Sequence, residues 1–346
     1  MHYTIIPYEH GLYKERLYAL WEEIIRSPSR IRLEAIYSNN SYGTTSTYML
    51  CYGHDLEVVG SVSLYPCYLN INGRRVKTGI NCDMMVLKQH RTLGPAIMVL
   101  KSLVRYAVES GYQILLAMPN KDSHPVFKRA GYVIIGKAYR WTRLLRSESK
   151  TSSIISNKHL RETASAAIDF GLRWLNGSIW LKIKHWRSYR IIEEEISSFD
   201  SAHLSKMTSK ISRMDCTQAF LNWRYLDVGS NNSEIFILTV PEEGLFGFVV
   251  YYASGKNIII EDIFCTGMYR EISIILSKFI DKIYRRNMDT IQIIFHGPNR
   301  FDKIMRGLGF VKREGRDIFA KFIDKSLVDH IQIRQESLFF DGNMDL

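Results

Sequence analysis

The 346-residue sequence has few cysteines, and no two of them are spaced for chemistry. The five (Cys51, Cys67, Cys82, Cys216 and Cys265) are odd in number and scattered, with no C-x-x-C pair. That spacing argues against both a disulfide framework and a zinc site, and makes a reducing cytoplasm the expected compartment. Long apolar runs are also missing, so no membrane-spanning helix is expected. The opening MHYTIIPYEHGLYKE has no basic segment followed by an apolar one, which argues against a secretory leader. There is no G-x-S-x-G, no H-E-x-x-H and no Walker lysine loop, so three common routes to hydrolysis are not encoded. No metal-ligand set is expected either. The tail Asp341-Gly342-Asn343-Met344-Asp345 alternates oxygen donors but lacks the glycine and closing glutamate of a calcium loop.

What the sequence does have is basic charge, unevenly placed. Lys and Arg exceed Asp and Glu by 46 to 35, a formal +11. Residues 1–150 carry +9, residues 151–190 carry +5, and residues 191–346 carry −3. The first part therefore expects an anionic partner: a phosphorylated cofactor, nucleic acid, an acidic carrier protein or a membrane surface. Hydrophobic residues at 46% and charged residues at 23% are an ordinary globular balance, and the length suits two domains.

Periodicity predicts an α/β chain. Tyr3–Tyr8 reads as a strand, followed by a helix through Leu17, Leu20, Trp21, Ile24 and Ile25. Tyr48–Tyr52 and Val58–Leu69 are β-rich, Asn70–Gly73 is a hairpin turn, and Arg75–Leu87 returns as a strand. A helix over Pro95–Ser110, a strand over Tyr112–Met118, a short helix over Ser123–Arg129 and a strand from Tyr132 to Leu145 complete the first part. The serine-rich residues 147–157 make a linker candidate. Residues 158–190 then carry an apolar helical stripe flanked by Trp174, Trp180 and basic side chains. That helix is expected to bridge two units, with peripheral membrane contact through residues 165–190 as the alternative.

Aligned with itself at an offset of 179 residues, the chain repeats. Gln113-Ile114 falls on Gln292-Ile293, and Pro119-Asn120-Lys121 on Pro298-Asn299-Arg300. Asp83 falls on Asp262 and Arg91 on Arg270; one deletion later, Gly131-Tyr132-Val133 falls on Gly309-Phe310-Val311. The copies differ at one decisive place. Arg91-Thr92-Leu93-Gly94-Pro95-Ala96 joins a strand to a helix with small residues that let a phosphate approach the free backbone N–H groups of the first helical turn. Its counterpart, Arg270-Glu271-Ile272-Ser273-Ile274-Ile275, has lost them.

The order R-x-x-G-x-A, helix, strand, Pro119-Asn120, short helix, Gly131-Tyr132 resembles the GNAT acyltransferase superfamily over residues 1–145. Residues 191–323 resemble a second, degenerate copy. Phe220-Leu221-Asn222-Trp223-Arg224-Tyr225 is similar to a stretch of tandem GNAT proteins met in bacterial surface-polysaccharide clusters. The resemblance implies two tandem α/β domains: an N-terminal unit at 1–146, a linker and basic helix at 147–190, and a C-terminal unit at 191–346. It implies acetyl-CoA or another acyl-CoA as donor, with the pyrophosphate on the N–H groups of residues 92–96 and the thioester polarised by main-chain donors near Met85 and Val86. An amine or hydroxyl acceptor, such as an amino sugar, sugar nucleotide or other glycan precursor, would attack the thioester directly.

Asp83 is a candidate proton acceptor or a structural carboxylate. Asn120 is a candidate for holding the pantetheine or a water, or a helix cap. His90 is expected at a phosphate or on the surface. Phe127 stands in the cofactor site where many GNAT enzymes have a tyrosine acid, and Tyr112, Tyr132 and Tyr139 are possible substitutes. Three alternatives stay open: long-chain transfer from an acyl carrier protein, a Fem-like aminoacyl transferase, and a non-catalytic binding protein. Nucleic acid is the least favoured partner, because the aromatics follow strand positions and not a stacking pattern.

Overall fold

A computed structural model of the chain describes residues 2–25, 41–71, 73–147, 191–200, 213–214, 217–227, 232–241, 244–267, 269–328 and 339–340, with isolated residues between 159 and 171. The linker at 147–157, nearly all of the basic helix at 158–190 and the tail beyond 340 lie outside the described residues. No helix among the described residues is long and apolar enough to cross a membrane.

The first part forms β1 (Tyr3–Pro7), α1 (His10–Ile24), β2 (Ser46–Tyr52), β3 (Glu57–Ile71), β4 (Arg74–Val86), α2 (Leu93–Glu109), β5 (Ile114–Ala117), α3 (His124–Arg129) and β6 (Val133–Leu144). The sequence places all of these to within a few residues. The long β3–β4 hairpin turns at Asn70–Gly73, where Asn70 Oδ1 accepts from the Gly73 N–H at 2.9 Å and Gly73 takes φ +81°. α2 begins two residues before the proline that signalled it. Pro95 therefore falls inside the first turn, where its missing N–H has no intrahelical partner to lose.

The second part repeats the pattern. It adds β7 (Ile192–Ile196), β8 (Arg213–Met214), α4 (Gln218–Asn222), β9 (Glu234–Val240), β10 (Gly244–Ser254), β11 (Asn257–Cys265), α5 (Tyr269–Arg285), β12 (Thr290–His296), α6 (Asn299–Gly307), β13 (Val311–Phe322) and β14 (Phe339–Phe340). The order of elements follows the sequence repeat. β4–α2–β5–α3–β6 corresponds to β11–α5–β12–α6–β13, element for element.

The 14 strands among the described residues join one mixed sheet, ordered β1-β2-β3-β4-β5-β13-β6-β12-β11-β10-β9-β7, with β8 beside β3 and β14 beside β12. The centre of this order is an exchange. β13, the last long strand of the second copy, lies between β5 and β6; β6, the last strand of the first, lies between β13 and β12. The side chains follow. Ile318, Phe319 and Phe322 of β13 pack in the core beneath β3–β5, whereas Trp141 of β6 stacks on Phe295 in the core around α5. Each copy therefore completes the apolar core of the other, and burial of large side chains such as Trp141 and Phe319 ties them together.

Candidate active site

β4 and β5 run parallel through Thr78–Ile80 and Ile114–Leu116, and then part. Beyond Ile80 the β5-facing edge of β4 has no strand partner among the described residues, so main-chain groups there are open to a ligand. The gap opens into a cavity of about 870 Å³ between β4, the N-terminus of α2, the end of β5 and α3. It is lined by Asn81–Val86, Arg91, Thr92, Ala96, Ala117–Asn120 and parts of α1 and α3. The sequence-predicted residues Asp83, Met85, Val86, Arg91, Thr92, Ala96, Asn120 and Phe127 all meet on this one cavity. Leu93, Gly94 and Pro95 form the first turn of α2 beside it.

A β-bulge shapes the β4 wall. Ser61 of β3 pairs with Met85, but Ser63 pairs with Cys82, so Asp83 and Met84 share the span opposite a single β3 residue. Asp83 takes up the extra length at φ +51°, a left-handed conformation that aspartate tolerates better than most residues. Its carbonyl accepts from Ser61 Oγ at 3.4 Å. Gly60 is required behind the bulge, because a Cβ there would lie 2.8 Å from the Met85 carbonyl oxygen.

At the mouth, Arg91 anchors itself to the end of β4. Its Nε donates to the Val86 carbonyl at 2.8 Å, and its exposed side chain keeps a positive charge beside the α2 N-terminus. A Cβ built on Gly94 meets nothing within 4 Å, so that face of the turn is open. These features suit an anion. His90 is placed elsewhere: Tyr3 Oη contacts its Nδ1 at 3.0 Å, its ring packs on Tyr52, and it does not line the cavity.

Asn120 does cap a helical turn. Its Oδ1 accepts from the Ser123 N–H at 3.0 Å, and the residue lines the cavity as well. Phe127 is buried, edge-on to Tyr132. None of Tyr112, Tyr132 and Tyr139 lines the cavity. Tyr112 lies under Lys77 at the far end of β5, and Tyr139 lies under Lys312 on β6. Burial raises the Tyr132 phenol well above its ordinary pKa, and its hydroxyl donates to Asn81 Oδ1.

Asn81 is the residue that sequence reasoning missed. It is 6% exposed and lines the cavity, and its Nδ2 has no hydrogen-bond partner among the described residues. A buried donor left unpaired is destabilising by about 1–3 kcal/mol. No motif marks an asparagine in the middle of a strand, and its holder Tyr132 lies on a different element.

The second copy treats the same place differently. Asp262, the counterpart of Asp83, is 0% exposed, with both carboxylate oxygens 3.3 Å from Arg213 Nη2. Tyr225 Oη and the Ile263 N–H complete its partners, at 3.0 and 2.8 Å. Burial pushes the Asp262 carboxyl pKa up, and Arg213 and Tyr225 pull it back. β11 and β12 pair through Ile260 and Ile293; past that point β12 pairs with the chain's own β14, at Phe295–Phe340 and His296–Phe339. Where the first copy has a cavity, the second has strand pairing.

Residues 15–135 match the family model of the acetyltransferase (GNAT) domain. The chain carries a GNAT acetyltransferase domain, and the protein is an acyltransferase. No curated protein matches its sequence. Among solved structures it is similar to a protein of unknown function from Enterococcus faecalis described as a probable N-acyltransferase, with TM-score 0.66 and 13% identity over 95% of this chain and 75% of that one. It is also similar to the N-myristoyltransferase of Saccharomyces cerevisiae with bound myristoyl-CoA, with TM-score 0.58 and 10% identity over 97% of this chain and 84% of that one. A tandem GNAT protein from the clavulanic acid biosynthesis pathway gives TM-score 0.54 and 9% identity over 93% and 98% of the two chains. These likenesses concern the fold: one long mixed sheet spanning the chain. For the GNAT domain, the fold implies an acyl-CoA donor. The residues present suit that donor, with an open helix N-terminus and Arg91 for the phosphates and an unpaired strand edge for the pantetheine amides.

Proposed function

We propose that this GNAT protein transfers a short acyl group, acetyl in the first place, from CoA to the amine or hydroxyl of a small acceptor such as an amino sugar or sugar nucleotide. The observation that carries the reading is the single cavity on which the unpaired β4 edge, Arg91 and the α2 N-terminus converge. The pyrophosphate lies on the first turn of α2, where free N–H groups and the dipole meet Arg91. The pantetheine follows β4 inward, and main-chain N–H groups near Met85 and Val86 donate to the thioester carbonyl as negative charge develops on it.

Asp83 takes the proton from the acceptor, directly or through a water. Its place at the bulge and its partial exposure support this role, in contrast to the sealed and ion-paired Asp262. Asn120 holds the inner rim while capping its own helical turn. Phe127 packs against the cofactor and cannot donate a proton, so the CoA thiolate leaves unprotonated or takes its proton from water. The C-terminal copy is a degenerate unit that shapes the acceptor side and closes the sheet. The sealed aspartate and the β12–β14 pairing support that division of labour.

Isothermal titration with acetyl-CoA, together with native mass spectrometry of the purified full-length chain, tests the reading. Micromolar binding at one site, or a co-purifying acyl-CoA, is the expected result. Absence of binding overturns it, and an acylated carrier protein found in place of CoA shifts the donor class.

A further inference from the structure

Along β4 the cavity is lined in order by Asn81, Asp83, then Met85 and Val86, with Arg91 beyond the strand at the mouth. The acyl-CoA of the reading above uses this wall from the mouth inward. Its phosphates take Arg91 and the α2 N-terminus, its pantetheine follows the strand, and its thioester carbonyl takes the N–H groups near Met85 and Val86. Asn81 lies past all of these, on the other side of Asp83. The walls contributed by Ala117, Met118, Val126 and Phe127 are apolar, so they suit an acyl methyl but offer an amide no side-chain partner. The amide is oriented from behind. Tyr132 is buried, its phenol is held protonated by that burial, and its hydroxyl donates to Asn81 Oδ1. Nδ2, in a residue 6% exposed and without a hydrogen-bond partner among the described residues, is left for a ligand in the cavity. Asn81 and Asp83 are two residues apart on one strand, so their Cα atoms are about 6–7 Å apart. Two hydrogen bonds of about 2.9 Å that converge obliquely from these side chains hold atoms roughly 3 Å from each other, the separation of neighbouring substituents on a sugar ring.

We propose that Asn81 recognises the acceptor: its Nδ2, positioned by Tyr132, donates a hydrogen bond to an oxygen next to the amine that Asp83 deprotonates, so the acceptor is a vicinal amino alcohol of the kind an amino sugar presents. The inference rests on the acyl-CoA reading above and narrows its acceptor class. In the transfer, the amine nitrogen forms a bond to the thioester carbon, the C–S bond breaks with its electron pair on the CoA sulfur, and the amine proton passes to Asp83 directly or through a water. Asn81 takes no part in those bond changes. It fixes the acceptor so that the nitrogen, and not the neighbouring oxygen, faces the carbon. An amine without that oxygen leaves Nδ2 buried and unpaired, and is turned over more slowly for that reason. Tyr132 acts through Asn81 and is a positioning residue.

The test compares trans-2-aminocyclohexanol with cyclohexylamine, two acceptors that differ by one hydroxyl. Acetyl transfer by the full-length protein is followed as CoA release, and acetyl-CoA affinity is measured by calorimetry alongside. Wild type is expected to favour the amino alcohol about tenfold or more in kcat/KM, in line with one unmade buried hydrogen bond. Asn81→Leu removes the donor at similar volume, and is expected to abolish that preference while acetyl-CoA affinity stays unchanged. Tyr132→Phe leaves Asn81 in place but unanchored, and is expected to reduce the preference by a smaller factor. Because Asn81→Leu strands the buried Tyr132 hydroxyl, the double variant with Tyr132→Phe carries the same measurement, with the same expected result, if the single variant does not fold. Wild type that binds acetyl-CoA but shows no preference, or acylates neither amine, overturns the proposal. A preference that survives in the Leu variants does so as well, and so does a fall in acetyl-CoA affinity that matches the fall in turnover, which is what a purely structural role would give. Wild type that does not bind acetyl-CoA removes the acyl-CoA reading itself, and this inference with it.

Discussion

Replacing Gly94 with aspartate separates the stability of this enzyme from its ligand affinity, because the two are expected to move in opposite directions. Gly94 is the second residue of α2, and a Cβ there meets nothing within 4 Å. The side chain is therefore accommodated without repacking. Any non-glycine residue improves helix propensity by a few tenths of a kcal/mol, and a carboxylate in the first turn adds about 0.3–1 kcal/mol through the dipole. Denaturant unfolding should thus show Gly94→Asp to be as stable as wild type, or slightly more so. Affinity should fall. A carboxylate about 5 Å from a bound phosphate, at an effective dielectric near 20, is repelled by about 3 kcal/mol per unit charge, or roughly a hundredfold in Kd. It also competes for the N–H groups that the phosphate needs. Calorimetric titration with CoA at low and high salt is the assay. The loss should shrink as salt rises, since the site is at the cavity mouth and open to counterions. A stable Gly94→Asp protein that binds CoA within threefold of wild type refutes the placement of the pyrophosphate on this turn.

Three further outcomes follow from the same geometry. Asp83→Asn should reduce acyl transfer by about 10²–10⁴-fold while CoA affinity stays unchanged; unchanged turnover, measured as CoA release with a competent acceptor, removes Asp83 as the base. Residues 1–146 expressed alone should fail to give a stable monomer, because β5 loses its β13 partner and the first core loses Ile318, Phe319 and Phe322; size exclusion and circular dichroism read this, and a folded monomer refutes the role given to the exchange. Burial lowers the pKa of His296, whose Nδ1 lies 3.2 Å from the Lys137 carbonyl, with Asp302 opposing that shift and Lys312 adding to it. A depressed folded-state pKa means that the stability gained from neutral His296 is present above its unfolded value, about 6.5, and is lost as pH falls through the folded one. Thermal stability should therefore fall below about pH 6.5, and His296→Gln should flatten that part of the profile; an unchanged acid limb counts against it.

Much of the first copy was legible because its signals are local. The turn from Arg91 to Ala96 needs small residues next to each other, so it shows in six consecutive positions, and the structure sets it at the mouth of the cavity. The repeat was legible because turn residues such as Pro119-Asn120 and Pro298-Asn299 keep their spacing whatever their tertiary partners. Asn81 was not legible, since its meaning depends on a tyrosine 51 residues away and on the divergence of two strands. Nor was the difference between Asp83 and Asp262. The two align in sequence, yet one lies at a half-exposed bulge and the other under Arg213.

The sequence by itself determined the element order, the duplication, the charge division between the copies and the phosphate-type turn, because each is written in neighbouring residues or in a constant offset. Tertiary structure alone decided that β6 and β13 change places, which of the duplicated aspartates is sealed, and that the second gap between strands is covered by the chain's own β14. The physical reason is the same in each case. Alternating apolar residues on a strand suit either side of a sheet equally well, and only the pairing of distant segments selects which core they fill.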